Sequence, residues 1–367
     1  MSISINHPLQ STYIFIAILA LAILLFVRKT RDDKFFSGSV TQELKGFAIL
    51  AVVFSHVGYF LAADHRFLFP LSIMAGVGVN LFLFLSGYGL SVSALAKPRS
   101  IGKFYVDRLG KLYVPMWICL GLFLILDFCL LGVRYEWSLI ARSALGYFDH
   151  ADIYRDINSP LWYLSLMISY YLIFPLLWIK KAPWLSALII YIISYYTLAA
   201  EPAMLKNVQG LWQSHLLAFP LGMVLATWVA NSGALERIVL RVKKWHWSLY
   251  GLVIVALVAT IAYTAYYSGV GKGLVIEERM GLLTMGLVLA LFLIKKAEFR
   301  LLSVFGLLSY EIYLLHWPLM YRYDVLFKYL PAWLAMLLYL GLFVVLASVL
   351  QRLTVFLSQK KASLVKD

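Results

Sequence analysis

Charged residues are scarce in this sequence: Asp, Glu, Lys and Arg together make up 14% of its 367 residues. A water-soluble domain carries about 25%, so a solvated surface of ordinary extent cannot be built from this chain. Cysteine is rarer still. The two present, Cys119 and Cys129, stand ten residues apart in one apolar stretch, and helical geometry separates them by about 15 Å, too far for a disulfide. No Cys/His spacing of the zinc-binding kind occurs, so no metal is expected. Lys and Arg are missing from the leader that precedes the first apolar run, which therefore lacks the basic start of a secretory signal. There is no soluble domain, low-complexity run or clear internal repeat, and the last absence removes support for an inverted-repeat transporter.

What fills the chain instead is apolar. AVILMFWYC residues reach 62% and aromatics 16%, a composition that needs lipid as its solvent and supplies anchors for two membrane interfaces. Eleven stretches have membrane-spanning length: Leu9–Val27, Gly46–Ala62, Pro70–Ala96, Leu112–Leu131, Pro160–Ile179, Trp184–Ala199, Leu211–Ala230, Ser248–Tyr267, Met280–Ile294, Leu301–Tyr321 and Pro331–Leu350. The expected fold is all-α, a polytopic membrane helix bundle of about 11 transmembrane helices.

Charge sorts by loop. Arg28, Lys29, Arg31 and Lys34 follow the first stretch, the order expected of an uncleaved helix with its N-terminus outside. Loops alternating from that start place 23 of the 32 basic residues inside and nine outside. The net charge of +14 therefore reports topology, with the C-terminus cytoplasmic, and no compact basic domain exists to bind nucleic acid. The one long loop, Gly132–Ser159, falls outside. It holds Glu136, Asp149, Asp152 and Asp156 beside Trp137, Tyr135, Tyr147 and Tyr154, a mixture able to stack on sugar rings or to anchor at an interface.

Ionisable side chains within apolar spans are costly and point to function. Lys45 and His56 are separated by ten residues; eleven steps of about 100° place them on one helix face, about 16 Å apart along the axis. A cation at the rim beneath a deep histidine suits a site that holds an anion and moves a proton. Positive-inside anchoring also accounts for Lys45 taken alone. Arg108 and Lys111, three apart, share a face at the same rim. Ser86, Gly87, Gly89 and Ser91 form a small-residue cluster in the third stretch, which also suits close helix packing. Ser309, Tyr313 and His316, spaced four and three, make a polar stripe, with Glu311 on another face. His316, counted from the inner end of an unbroken helix, should lie several ångströms nearer the outside than His56. His215 falls in the first turn of its expected helix, near the outer face.

The segments LKGFAILAVVFSH (44–56), LFLFLSGYGLS (81–91), FYVDRLGKLYVP (104–115), PLWYLSLMISYYLIFPLL (160–177) and GLLSYEIYLLHWP (306–318) together resemble the membrane acyltransferase 3 family. Its members commonly transfer acetyl or other short acyl groups to glycans. The resemblance implies a family-like core of 10 helices at 40–357, an additional N-terminal helix at 1–30 and a cytoplasmic tail at 358–367. It makes His56 the catalytic histidine and Lys45 its motif partner, where the family usually has Arg. It assigns Ser86, Gly87, Arg108 and Lys111 to acyl-CoA binding, and His316, Tyr313, Glu311 and Trp162 to the acceptor or to support of the site. The implied co-substrate is acyl-CoA, acetyl-CoA foremost; the implied acceptor is a hydroxyl of a glycan or lipid-linked sugar outside a bacterial inner membrane, with membrane lipid as the surroundings. A proton-coupled secondary transporter would also place His56, Glu311 and His316 within the bilayer.

Overall fold

The computed structural model describes residues 3–30, 35–62, 64–97, 99–152 and 155–364. Arg31, Lys34 and Tyr154 lie outside the described residues. The chain folds as an all-helical bundle: α1 (Pro8–Leu25), α2 (Gly38–Val57), α3 (Ala75–Ala96), α4 (Ile101–Leu131), α5 (Trp137–Ala144), α6 (Trp162–Leu177), α7 (Pro183–Ala199), α8 (Gln209–Gln213), α9 (Ala218–Asn231), α10 (Ala234–Lys243), α11 (Trp247–Ser268), α12 (Leu274–Ile294), α13 (Arg300–Leu307), α14 (Ser309–Tyr321) and α15 (Ala332–Leu364). Among the described residues eight helical spans are long and apolar enough to cross a membrane. Three of the eleven expected stretches differ. One is the 17-residue α7, one is α12, whose first two turns carry Glu277, Glu278 and Arg279, and Leu301–Tyr321 is broken into α13 and α14 at Leu308. α15 continues through most of the segment read as a tail.

α2 is the most enclosed of the spans. Ser37 caps it, its hydroxyl accepting from the Val40 amide at 3.2 Å. Two facing glycines set its crossing with α13: a Cβ on Gly46 would stand 1.9 Å from the Leu302 carbonyl oxygen, and one on Gly306 would stand 1.8 Å from that of Gln42. Only hydrogen fits at both places, so the backbones touch.

Proline sets two further features. Pro220 has no amide to bond Leu216, and the freed carbonyl accepts from the Tyr170 hydroxyl at 3.0 Å. That proline follows the interruption at 214–217 between α8 and α9, so the expected helix Leu211–Ala230 is discontinuous and His215 sits in its turn. Pro318 likewise frees Leu314, whose carbonyl accepts from Asn158 Nδ2 at 2.9 Å. At the break between α13 and α14 the Leu307 carbonyl accepts from Gln351 Nε2 at 3.1 Å. Each lost helical bond is replaced from another element, as hydrocarbon surroundings demand.

The additional N-terminal helix is tied at both ends. Near its start the Ile3 amide donates to the Phe60 carbonyl at 2.6 Å, and the Thr12 hydroxyl accepts from the Leu68 amide at 2.8 Å. After its end, β1 (Val27–Lys29) pairs antiparallel with β2 (Ala297–Phe299), and Arg28 meets Glu298 at 2.7 Å. These ties bracket α2.

Candidate active site

Two cavities lie along α2, and a single stripe of that helix faces them. Thr41 and Lys45 line the first, Val52 and His56 the second; steps of four, seven and four keep all four on one face.

The cavity at the Lys45 end has a volume of about 300 Å³. Lys45 and Arg108 both line it, with Ser86, Tyr171, Ser309 and Tyr310, and no carboxylate is among its lining residues. The nearest acid on α2, Glu43, turns away and pairs with Lys295 at 2.7 Å. The two cations repel one another across the cavity, so an anion placed between them is stabilised by both. Ser86 Oγ and the Tyr171 hydroxyl share a hydrogen bond of 2.9 Å. This cavity suits an anionic group with a polar, uncharged continuation.

The cavity at the His56 end measures about 340 Å³. His56 lines it, while His316 stands behind with no exposed surface. Their rings are stacked, with centroids 5.0 Å apart, and His56 Nδ1 lies 2.7 Å from His316 Nε2. The expected offset in depth between the two histidines is bounded by this contact. It rested on an unbroken helix from Leu301, and the break at Leu308 removes that premise.

The pairing fixes the tautomers. His316 Nδ1 is 2.9 Å from the Tyr313 carbonyl oxygen and 3.1 Å from that of Ile312. Carbonyls only accept, so Nδ1 of neutral His316 carries the hydrogen and its Nε2 holds a lone pair. His56 Nδ1 must then donate to it. Nε2 of His56 is left as the basic nitrogen, on a ring held edge-on by Trp317 at 5.0 Å. A base oriented by a third group is the arrangement general-base and nucleophilic catalysis require.

Tyr163 and Tyr313 line both cavities, their rings edge to face at 5.6 Å. Tyr313 is held by donating its hydroxyl to the Pro160 carbonyl. The two compartments thus meet at a wall of two side chains.

Of the residues read from the sequence, the structure gathers Lys45, Arg108 and Ser86 at one cavity, and His56, His316 and Trp162 at the other, with Tyr313 common to both. Besides His316, which stands behind His56, three others line neither cavity. Gly87 packs on α9, where a Cβ would stand 2.2 Å from the Phe219 carbonyl oxygen, so its smallness serves helix contact. Lys111 is exposed, one turn beyond Arg108. Glu311 is buried in α14 and lines neither cavity, so it is not on the histidine path that the transporter reading needs; the acid that does line the His56 cavity, Glu277, accepts from the backbone amides of Gly271, Lys272 and Gly273. The long loop also contributes no lining residue: its Asp149 pairs with Arg142 at 2.7 Å, and Asp156 accepts from the Asp152 amide at 2.7 Å.

Sequence reasoning missed Asn80 and gave His215 no role, and both line the His56 cavity. Asn80 is the one amide side chain in its apolar stretch, and that was the available signal. His215 Nδ1 donates to Asn80 Oδ1 at 2.7 Å, and its ring lies on Trp162 with centroids 5.8 Å apart. Among the described residues no group of three or more His, Cys, Asp or Glu side chains could hold a metal ion.

Comparison with curated proteins and with solved structures returned no match. The family model described as an acyltransferase domain, acyltransferase 3, matches residues 44–352. That interval takes in the histidine pair and every lining residue of the two cavities but Thr41, and the chain belongs to the acyltransferase 3 family.

Proposed function

We propose that this membrane acyltransferase moves a short acyl group, acetyl foremost, from cytoplasmic acyl-CoA to a hydroxyl of a glycan or lipid-linked sugar on the outer side of a bacterial inner membrane. The observation that carries the reading is the cavity of two cations without an acid, joined across Tyr163 and Tyr313 to the cavity of the oriented His56. Coenzyme A carries phosphates that hydrocarbon excludes, so Lys45 and Arg108 hold the nucleotide end at the rim. The neutral pantetheine arm passes Ser86 and Tyr171 and brings the thioester to the tyrosine wall.

His56 Nε2 takes the proton of the acceptor hydroxyl as its oxygen attacks the thioester carbonyl carbon. The imidazolium so formed keeps its Nδ1 hydrogen bond to His316 Nε2. The tetrahedral intermediate collapses as the carbon–sulfur bond breaks, and the proton on Nε2 passes to the leaving thiolate. The products are the ester and free coenzyme A, and His56 is restored.

The basic bias of the alternate loops supports the sidedness. It is tested together with the chemistry in membrane vesicles of defined orientation, supplied with acetyl-CoA radiolabelled in the acetyl group. Label should enter lipid-linked or polymeric glycan only when acetyl-CoA meets the face bearing Lys45. His56→Ala should cut incorporation by about 10²–10⁴-fold at unchanged protein level. Incorporation from the opposite face, or near-normal incorporation in well-expressed His56→Ala, would overturn the reading.

A further inference from the structure

The His56 cavity contains a second imidazole that the chemistry above does not use. His215 is 6% exposed, lies in the turn between α8 and α9, and lines the same cavity as His56. Its Nδ1 stands 2.7 Å from Asn80 Oδ1. An amide oxygen only accepts, so Nδ1 carries the hydrogen and Nε2 of the neutral ring holds a lone pair. Among the described residues Nε2 has no protein partner. Asn80 is itself 1% exposed, and its Nδ2 is directed at Gly281 of α12, where a Cβ would meet it at 3.3 Å. The amide oxygen faces the histidine and its nitrogen the glycine. Trp162 covers one face of the imidazole at a 20° interplanar angle.

One cavity thus has two fixed imidazoles, His56 and His215, each with Nδ1 occupied as a donor and Nε2 left to accept. Both accept from hydroxyl groups and neither carries charge. We infer that the Asn80–His215 pair is an acceptor-binding subsite, in which His215 Nε2 receives a hydrogen bond from a second hydroxyl of the acceptor while His56 acts on the reacting one. The acceptor class that satisfies both nitrogens is a neutral polyol, a sugar ring with at least two free hydroxyls, lying against Trp162. A simple alcohol satisfies only His56. Asn80 acts through His215 and is a positioning residue. An Asp there still accepts from Nδ1, whereas Leu does not, and the imidazole is then free to place its hydrogen on Nε2 and lose the acceptor lone pair.

This inference rests on the proposed acyl transfer, and the test separates the two. Purified protein in lipid nanodiscs is supplied with radiolabelled acetyl-CoA and either methyl hexosides or cyclohexanol. The wild type should prefer the hexosides. His215→Leu and Asn80→Leu should each raise KM for the hexosides by roughly tenfold, the effect of one lost hydrogen bond to a polar site. Both variants should raise KM for cyclohexanol far less than for the hexosides, and Asn80→Asp, which still accepts from Nδ1, should raise the hexoside KM less than Asn80→Leu. An unchanged hexoside KM in His215→Leu, or equal losses with both acceptors, would overturn the subsite. Wild-type protein that hydrolyses acetyl-CoA but acylates neither acceptor would also overturn it, while leaving the donor assignment standing. Absence of any reaction with acetyl-CoA would instead overturn the proposed function on which the subsite rests.

Discussion

The buried ion pairs and the Lys45 cavity treat charge in opposite ways. Asp127 is fully buried, yet it meets Arg322 and accepts from the hydroxyls of Tyr135 and Tyr323 at 2.7 and 2.6 Å. Glu43 is equally buried and meets Lys295. Each of these acids has its cation beside it. Lys45 and Arg108 face a shared cavity that no acid lines. Placing ionised groups in low dielectric is costly, so a cation left without a carboxylate has a partner that comes and goes. Among membrane charges the informative property is therefore the missing counter-charge, since Asp127 looks as conspicuous in the sequence as Lys45 and serves only the fold.

That contrast breaks if the two kinds of charge fail in the same way. Asp127→Ala leaves Arg322 buried beside two tyrosines without its carboxylate, and should cost about 3–5 kcal/mol of stability. Thermal unfolding in detergent measures the loss, and the surviving folded protein should keep its KM for acetyl-CoA. A normal unfolding midpoint would show that the pair carries no structural load.

Lys45→Glu should do the reverse. It places an anion where the proposed donor would set its phosphates and should raise KM for acetyl-CoA by roughly 10–100-fold, as expected for the loss of a charge-assisted hydrogen bond, with unfolding unchanged. Lys45→Arg keeps charge and reach and should stay within a few-fold of wild type. Equal effects from Arg and Glu would remove the cation from donor binding.

A smaller effect sharpens the histidine side. His316→Ala leaves His56 Nδ1 without its acceptor and should lower kcat by roughly tenfold, about 1.4 kcal/mol, with little change in donor KM. His316→Gln supplies a side-chain oxygen to that Nδ1 hydrogen and should recover part of the rate. If Gln and Ala behave alike, orientation by His316 is not what matters.

The smallest expected effect is a pH dependence outside the membrane. Burial pushes the Asp156 carboxyl up to about 6. Its unfolded value is about 3.9, so as pH falls the folded protein binds this proton first. The ionised carboxylate penalises folding above pH 6, and the penalty fades between about pH 6 and 4. Asp156→Asn should be more stable than wild type at pH 7, and the difference should shrink as pH falls toward 4. Asp64, held at about 2 by Arg66, acts in the opposite sense in a lower window and does not mask the comparison. A difference independent of pH would assign the effect to something other than ionisation.

Much of this was legible before folding. Composition gave the helical membrane class, and the ten-residue spacing placed Lys45 and His56 on one face, where the structure finds both turned to cavities. Local pattern could not reveal pairings made across the bundle. His56 and His316 are 260 residues apart, and their contact depends on the break at Leu308, which follows Gly306 pressed against Gln42. Neither propensity nor hydropathy marks that break. Gly87 and Lys111 fitted the same motif as Ser86 and Arg108, and only their directions separate them. His215 was seen but given no role, because its pairing with Asn80, 135 residues away, cannot be read from local pattern.

The N-terminal bracket around α2 also has a bearing on the order in which the protein is built. Arg28 and Glu298 are 270 residues apart in sequence, so the strand that follows α1 leaves the ribosome long before its partner strand exists. For most of synthesis β1 presents an unpaired edge, and the first helix is held by its ties near Phe60 and Leu68 alone. The far tie closes only after eleven further helices, α2 to α12, have been made, and contacts of such long separation are the slowest to form. Closure of the bracket around α2 is therefore timed by the emergence of three residues, Ala297–Phe299, and a chain halted before them would have every residue of the Lys45–His56 stripe in place with the bracket still open.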